Sequence, residues 1–280
     1  MNALVTGNSG LIGLALTRRL GAIPGVRVRL FRTLEAPRDI RDRQAVREAL
    51  EGIDAVFHLA GLLNYRRATP EDLHAVNVEG TRRLLDEALA AGVSDVIVAS
   101  SQDVYAASDG RPGPLREETP LRARDAYGRS KQEADELCQR YLDSRLRLAV
   151  LRIAAVYGPE SLGRDNVVAR FLGDARREGV IRVYGQGRRI RDIVWVEDVV
   201  GALLAFQGKA GVFNVGGGHP YTTREIAETV KEAVGGRVEF DGSQEEETGF
   251  YLDISKARAA IGYEPVWFGT GLQRSLAVHV

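Results

Sequence analysis

The sequence predicts an α/β protein, a doubly wound parallel sheet with a smaller C-terminal lobe, and three observations predict it. Ala3-Leu4-Val5-Thr6 reads as a buried strand running through Gly7-Asn8-Ser9-Gly10-Leu11-Ile12-Gly13 into a helix over residues 11–20. Apolar strand patterns and amphipathic helix patterns then alternate about six times up to Ile153. From Tyr157 onward the alternation gives way to short strands, isolated helices and a Gly216-Gly217-Gly218 turn. The expected division is a sheet domain over residues 1–156, to which residues 190–210 return, and a mainly substrate-binding lobe over residues 157–280.

The opening turn carries the first chemical signal. An apolar strand, three glycines and a helix N-terminus bring backbone N–H groups and a positive dipole end to one point, which suits a pyrophosphate. The first glycine permits the tight turn, the second lets a phosphate approach the backbone, and the third lets helix and strand pack closely. A turn that binds nothing is the alternative at this point.

Residues 26–31 read as the second strand, whose end should meet the adenosine ribose of a dinucleotide. An acid there would take a 2′-hydroxyl and an arginine a 2′-phosphate. Arg32 holds the place, 19 residues after Gly13, and no Asp or Glu precedes Glu35. NADP is therefore favoured over NAD, against the plain alternative of a solvated surface arginine. Residues 33–38 leave little room for a second crossover helix, and a helix follows over residues 42–51.

Residues 55–61 read as the next parallel strand, whose end, Leu59, Ala60 and Gly61, should lie beside the cofactor because ligands gather at the carboxyl ends of such strands. His58 reads as a packed strand residue rather than a catalyst. A long amphipathic pattern covers residues 70–92, and a strand over 95–101 delivers Ser101 at its end. After a Pro/Gly-rich loop, residues 110–120, a helix opens near Asp125 with Tyr127 and Lys131 in its first turns. Strands follow at 146–153, 179–184, 190–196 and 211–215, with helices at 197–206 and 223–234 and a small acidic loop at Glu245-Glu246-Glu247.

Composition bounds the partners. With 38 basic and 38 acidic residues in 280, no global field draws the chain to nucleic acid or an anionic membrane, so an anionic ligand must be held by local groups. The single cysteine, Cys138, forms no internal disulfide and excludes a cysteine-rich metal site; no metal is expected. There is no apolar run of membrane-span length and no signal-peptide pattern at the N-terminus, which points to the cytoplasm.

Tyr127 and Lys131 stand one helical turn apart on one face. Nine tyrosines and four lysines in this chain would give about 0.1 such pairs by chance, and a chain that nearly always uses arginine has lysine here. A phenol ionises near 10, so a base working near neutrality needs its pKa lowered by about 3, worth about 4 kcal/mol. A neighbouring ammonium and an oxidised nicotinamide both act in that direction. Ser101, from the preceding strand end, could hold the substrate oxygen while the phenolate takes its proton.

Glycine turn, strand-end serine and Tyr-x-x-x-Lys, in this order, resemble the extended short-chain dehydrogenase/reductases, and within them the NAD-dependent epimerase/dehydratase family of sugar-nucleotide enzymes. The resemblance spans nearly the whole chain: Thr6 to Gly13, His58-Leu59-Ala60-Gly61, Asn77-Val78-Glu79-Gly80-Thr81, Ser100-Ser101 with Val104-Tyr105, Tyr127 to Lys131, Leu151-Arg152 with Val156-Tyr157-Gly158-Pro159, Arg191-Asp192 to Asp198, and Asn214 to Gly218. It implies a Rossmann fold, Tyr127 as base, Ser101 as the polarising hydroxyl and Lys131 as the cofactor-ribose ligand. It further implies that Gly7 to Gly13 hold the pyrophosphate, that Asp39 and Ile40 meet the adenine, that Asn77 lies at the cofactor, that Tyr157 closes over the nicotinamide end and that Arg191 faces a substrate diphosphate. A homodimer through the helices at 70–92 and 126–144 is also implied.

Three departures narrow the expectation. Ala155 stands where the family often has a substrate-binding asparagine, and the C-terminal Arg-Pro-x-Asp segment is absent. Gln102-Asp103 replaces the acidic pair of the dehydratases, so Asp103 is a candidate substrate acid, but its shorter reach and missing partner favour an ordinary strand-end aspartate. The expected activity is an NAD(P)-dependent oxidoreductase or epimerase acting at a secondary alcohol or ketone, on a sugar or nucleotide-sugar as small-molecule substrate. The alternatives are an NADP-dependent ketone reductase on a non-nucleotide substrate and a non-catalytic dinucleotide-binding protein.

Overall fold

The structure is a computed structural model that describes residues 1–32, 38–63, 68–105, 112–159, 166–243 and 248–277. Glu35 and the acidic loop at 245–247 lie outside the described residues, as do most of segment 33–38 and the first two residues of loop 110–120. In chain order the elements are β1 (Asn2–Thr6), α1 (Leu11–Gly21), β2 (Arg27–Leu30), α2 (Arg43–Leu50), β3 (Ala55–His58), α3 (Pro70–Leu73), a π-helical segment His74–Glu79, α4 (Gly80–Ala91), β4 (Asp95–Ser101), a 3-10 turn Gln102–Tyr105, α5 (Ala126–Gln139) and β5 (Arg147–Ile153). They continue with β6 (Ala155–Tyr157), α6 (Val167–Glu178), β7 (Val180–Val183), β8 (Ile190–Arg191), β9 (Ile193–Trp195), α7 (Val196–Ala205), β10 (Gly211–Val215), β11 (Tyr221–Thr222), α8 (Thr223–Val234), β12 (Arg237–Phe240), α9 (Ser255–Ile261) and α10 (Phe268–Ala277).

Six strands form the main sheet in the order β10-β5-β4-β3-β1-β2, and the pairs β2-β1, β1-β3, β3-β4 and β4-β5 are parallel. The chain is thus an α/β protein with a Rossmann-type sheet. Short apolar strands buried on both faces are what such a sheet demands, and β3 is buried at all four positions. Against one face pack Val46, Ala49 and Leu50 of α2, Leu84, Leu85 and Ala88 of α4, and Cys138 of α5, around Leu4, Val56, Val96, Leu148 and Val150 of the strands. The register sets Thr6 beside His58 and Ser101 beside Ile153, so the strand ends that carry the chemistry finish at one edge of the sheet.

The chain divides into two compact units. The first comprises Met1–Ala107, Thr119–Ile153 and Val200–Phe213; the second comprises Ser108–Glu118, Ala154–Val199 and Asn214–Val280. The second has its own core, in which Phe171 and Leu172 of α6, Ile181 and Val183 of β7, Ile226 and Val230 of α8 and Phe268 and Leu272 of α10 surround Tyr157.

Local chemistry sets most helix starts. The Asp42 carboxylate accepts from the Gln44 and Ala45 amides at the head of α2, Asp125 accepts from Gly128 at 2.6 Å at the head of α5, and Thr222 with Glu225 forms a reciprocal capping box on α8. The structure differs from the sequence pattern in three places. The amphipathic run at 70–92 contains six π-helical residues, His74–Glu79, since a wider turn leaves the same faces apolar. The strand read at 190–196 is two strands broken at Asp192, because β8 pairs with β11 and β9 with β6. Helix α6 and the elements after α8 were not read from the sequence.

Candidate active site

The first unit brings the strand-end and helix residues together around the carboxyl ends of β1, β3 and β4. Gly7 has φ +67°, and a Cβ there would lie 2.4 Å from the Leu59 carbonyl, so only glycine lets the turn pass the end of β3. A Cβ on Gly13 would lie 2.3 Å from the Gly7 oxygen, whereas one on Gly10 would meet only that oxygen, at 3.3 Å. Gly10 is the N-cap of α1 and offers no side chain to the first-turn amides, which leaves those donors for a ligand.

A crevice of about 380 Å³ opens beside this turn, lined in part by Gly7, Asn8, Ser9, Arg32, Asp39 and Ile40. Ala60 and Gly61, which follow β3, line it as well, as do Arg38 and Arg41, which the sequence pattern did not single out. Asn8 bridges the turn to the end of β2: its amide donates to the Arg32 carbonyl at 2.9 Å, and its oxygen accepts from the Arg32 N–H at 3.4 Å. Asp39 is taken up by Arg41, whose Nε and Nη2 reach its carboxylate at 3.0 and 2.7 Å, and that hydrogen bonding holds the Asp39 carboxyl below its usual range. Ile40 packs on α4 at Gly80, where a Cβ would lie 2.8 Å from its Cγ2. A dinucleotide fits a cradle of this kind: glycines where any side chain would collide, uncapped helix amides and guanidinium groups around one crevice.

The catalytic candidates lie at the end of β4 and on α5. The Ser101 hydroxyl accepts from the Asp103 N–H at 3.1 Å. Tyr127 is half-buried in the first turn of α5, and Lys131 follows one turn later, buried, with its Nζ donating to the Ala99 carbonyl at 2.6 Å. A Cβ on Gly61 would stand 4.0 Å from that Nζ. One proton on the ammonium is thus committed, and two remain for other acceptors. Asn77, on the π-helical segment, donates to Ser130 Oγ at 2.9 Å and to the Leu62 carbonyl, and accepts from the Leu62 N–H at 2.7 Å. Asn77 on the π-helical segment thus joins the chain after β3 to α5, and π segments recur at functional sites.

His58 is a packed residue. Its ring nitrogens stand 2.8 Å from Thr6 Oγ1 and 2.9 Å from Thr81 Oγ1, and burial, with a smaller contribution from Lys131, pushes its pKa down to about 3. An unfolded chain therefore binds a proton below about pH 6.5 that the folded chain refuses down to about pH 3, so this group removes stability as the pH falls through that window. The loss is about 2 kcal/mol by pH 5. Chemical denaturation of wild type and His58→Gln between pH 7.5 and 5 checks it: the difference in stability between them should narrow or reverse as the pH falls, and a pH-independent difference contradicts the assignment.

Two candidates fall in the second unit. Tyr157, expected at the nicotinamide end, is packed in the core of the second unit. It is 2% exposed, its ring meets Phe268 edge-on at 5.1 Å, its hydroxyl donates to the Phe268 carbonyl at 3.3 Å, and a Cβ on Gly271 would overlap that hydroxyl. Burial raises its pKa, so the group remains a neutral phenol. Arg191, on β8, donates from Nε to Thr223 Oγ1 at 3.2 Å. Beside it the buried Asp192 carboxylate accepts from the Gly217 and Leu252 amides at 2.7 and 2.9 Å, and burial pushes its pKa up to about 7.

Among the described residues no helix is long and apolar enough to cross a membrane, and no group of three or more His, Cys, Asp or Glu is placed to hold a metal ion.

Comparison with known proteins gives a consistent result. The sequence model described as the NAD dependent epimerase/dehydratase family matches residues 3–216. The chain is 30% identical to the low-salt glycan biosynthesis protein Agl12 of Haloferax volcanii, over 98% of this chain and 96% of that protein. Among solved structures it is similar to a UDP-glucose 4-epimerase of Thermotoga maritima with UDP-glucose, with TM-score 0.87, 26% identity and coverage of 100% of this chain and 98% of the other. It is also similar to RMD of Pseudomonas aeruginosa complexed with NADPH, with TM-score 0.83, 25% identity and coverage of 99% and 97%.

Proposed function

The chain belongs to the NAD-dependent epimerase/dehydratase family, and from that premise we propose that it interconverts a secondary alcohol and a ketone on a nucleotide-sugar, with Tyr127 as the proton-transferring base. The observation that carries this reading is α5, which sets Tyr127 and Lys131 one turn apart and anchors the Lys131 ammonium 2.6 Å from the carbonyl of Ala99, two residues before Ser101.

Gly7, Gly10 and Gly13, with Asn8, Ser9, Leu11 and Ile12, would hold the pyrophosphate of NAD(P) against the head of α1. Asp39 and Ile40 would line the adenine end, Leu59, Ala60, Gly61 and Asn77 the inner end, and Lys131 the ribose. When bound, the nicotinamide supplies the hydride acceptor or donor at the substrate carbon. Ser101 would hold the substrate oxygen by a hydrogen bond while Tyr127 removes or returns its proton, and the Lys131 charge lowers the cost of the phenolate. Asp103 is a further proposed substrate contact in the first unit, and Arg191, in the second, is proposed on its own account as a diphosphate ligand.

NADP is the favoured cofactor. Arg32 stands at the end of β2 where a 2′-hydroxyl ligand would be acidic, and the Asp39 carboxylate nearby is already held by Arg41. Arg32→Ala should weaken NADP+ binding by about tenfold or more and leave NAD+ within about twofold, as read by calorimetry; equal effects on both would remove Arg32 from the 2′ site.

The activity is tested by incubating the purified protein with UDP-, dTDP-, GDP- and ADP-hexoses and either cofactor, following products by NMR and the nicotinamide at 340 nm. An epimerase converts sugar with no net absorbance change; a reductase consumes cofactor. Failure of every nucleotide-sugar alongside turnover of a plain ketone would favour the second reading, to which Ala155 points by removing a nucleotide-sugar amide contact. The homodimer belongs to the same proposal and is read by light scattering.

A further inference from the structure

Next to the Ser101 turn lies a buried ion pair for which the proposed chemistry has no use. Asp135 follows Lys131 by one turn on α5 with a fully buried side chain, and Arg152 of β5 is 3% exposed. Their contact is two-pronged: Nη2 to Oδ1 at 2.8 Å and Nε to Oδ2 at 2.9 Å. Asp135 also accepts from Ser100 Oγ at 2.9 Å and Gln139 Nε2 at 3.0 Å, and Arg152 Nη1 donates to the Tyr105 hydroxyl at 2.6 Å. The strand register already sets Ser100 opposite Arg152. The segment around Ser101 is thereby held at the Ala99 carbonyl by Lys131, at the Ser100 hydroxyl by Asp135 and, at the end of the 3-10 turn, at the Tyr105 hydroxyl by Arg152.

Stability alone does not account for such a pair. Removing two charges from water commonly cancels their attraction, and apolar side chains of similar volume would fill the space as well. Apolar side chains could not make directional bonds to the side chains on both sides of Ser101, nor place a carboxylate one helical turn from Lys131. The groups that act on Lys131 are His58 from β3, the Ala99 carbonyl from β4, and Cys138 and Asp135 from its own helix, with Tyr127 one helical turn before it. His58 is neutral because burial holds its pKa near 3, and Cys138 is neutral because burial raises its thiol to about 12. Burial pushes the Lys131 ammonium toward its neutral form, and the Asp135 carboxylate opposes that push.

We propose that the Asp135–Arg152 pair is the positioning unit of this centre, locking the Ser101 turn to α5 and supplying the counter-charge of the Lys131 ammonium. The proposal rests on the reading of Ser101, Tyr127 and Lys131 given above, but its test requires no substrate. The chain has four lysines, so isotope labelling of lysine gives four side-chain NMR signals, and Lys131→Met identifies the one that matters. In Asp135→Asn the unopposed Arg152 should move the Lys131 titration down by about one pH unit; in Arg152→Gln the freed carboxylate should move it up by about as much. Shifts of the same sign, or none, overturn the proposal. Should either variant fail to fold, Tyr105→Phe removes only a hydroxyl. The Asp103 amide, which donates to Ser101, should then exchange with solvent about tenfold faster while β1 amides keep their rates, and unchanged exchange at Asp103 overturns the positioning role. Neither readout depends on whether a nucleotide-sugar is turned over, so a failure here and a failure of the proposed activity remain distinguishable.

Discussion

Tyr127→Phe should lower kcat by about a factor of 10³ while the Kd for NADP+ stays within about twofold. The substitution removes one oxygen from a half-buried residue in the first turn of α5 and leaves the ring, so the fold has little to lose. What goes is the group proposed to carry the proton between substrate and solvent. General acid–base catalysis of this kind is worth about 10²–10⁴ in rate, and Ser101 does not replace it, being too weak a base and already accepting from the Asp103 N–H. Initial rates on whichever nucleotide-sugar is accepted, with calorimetric titration of NADP+, separate chemistry from binding. Retention of more than about a tenth of the activity would end the assignment of Tyr127 as base, and a matching loss of cofactor affinity would make the residue a binding group.

The second large effect is expected at Gly13. Alanine is the better helix former by about 1 kcal/mol, which by itself would stabilise α1. At this position the added Cβ would stand 2.3 Å from the Gly7 oxygen and 2.7 Å from the Asn8 Cα, and both are backbone atoms that yield only if the whole turn moves. The overlap outweighs the propensity, so Gly13→Ala should destabilise the protein by about 2 kcal/mol and weaken dinucleotide binding by about 100-fold. Gly21, at the other end of the same helix, has nothing within 4 Å of its Cβ position, and Gly21→Ala should be neutral or slightly stabilising. Thermal unfolding and NADP+ titration of the two variants side by side decide the matter. A Gly13→Ala protein as stable and as tightly binding as Gly21→Ala would show that the turn is not constrained as described.

How much of this site was legible from the chain depended on how local each constraint was. The glycine turn, the Tyr127–Lys131 spacing and the small residues at the end of β3 are settled by interactions among neighbours in sequence, and the α/β alternation that frames them follows from strand and helix periodicities. His58 read as a packed residue on the same terms. The surroundings of Tyr157 were not legible in this way: a family motif singles the residue out, and the apolar faces of α6 and α10, distant in sequence, enclose its ring in the second core. The capture of Asp39 by Arg41 was equally beyond a linear reading, since it depends on the turn before α2.

The amino-acid sequence by itself determined the sheet, the cradle at the head of α1 and the helix that pairs a phenol with an ammonium, because each is encoded within a few residues by backbone freedom or by repeat of the helical turn. Only the tertiary structure decided which of the remaining polar groups are committed to one another: Asn77 turned by a π segment onto Ser130, His58 held neutral between two threonines, and Asp135 closed on Arg152 beside Ser100. Burial and long-range pairing set the charge and direction of those groups, and neither quantity exists until distant strands and helices have met.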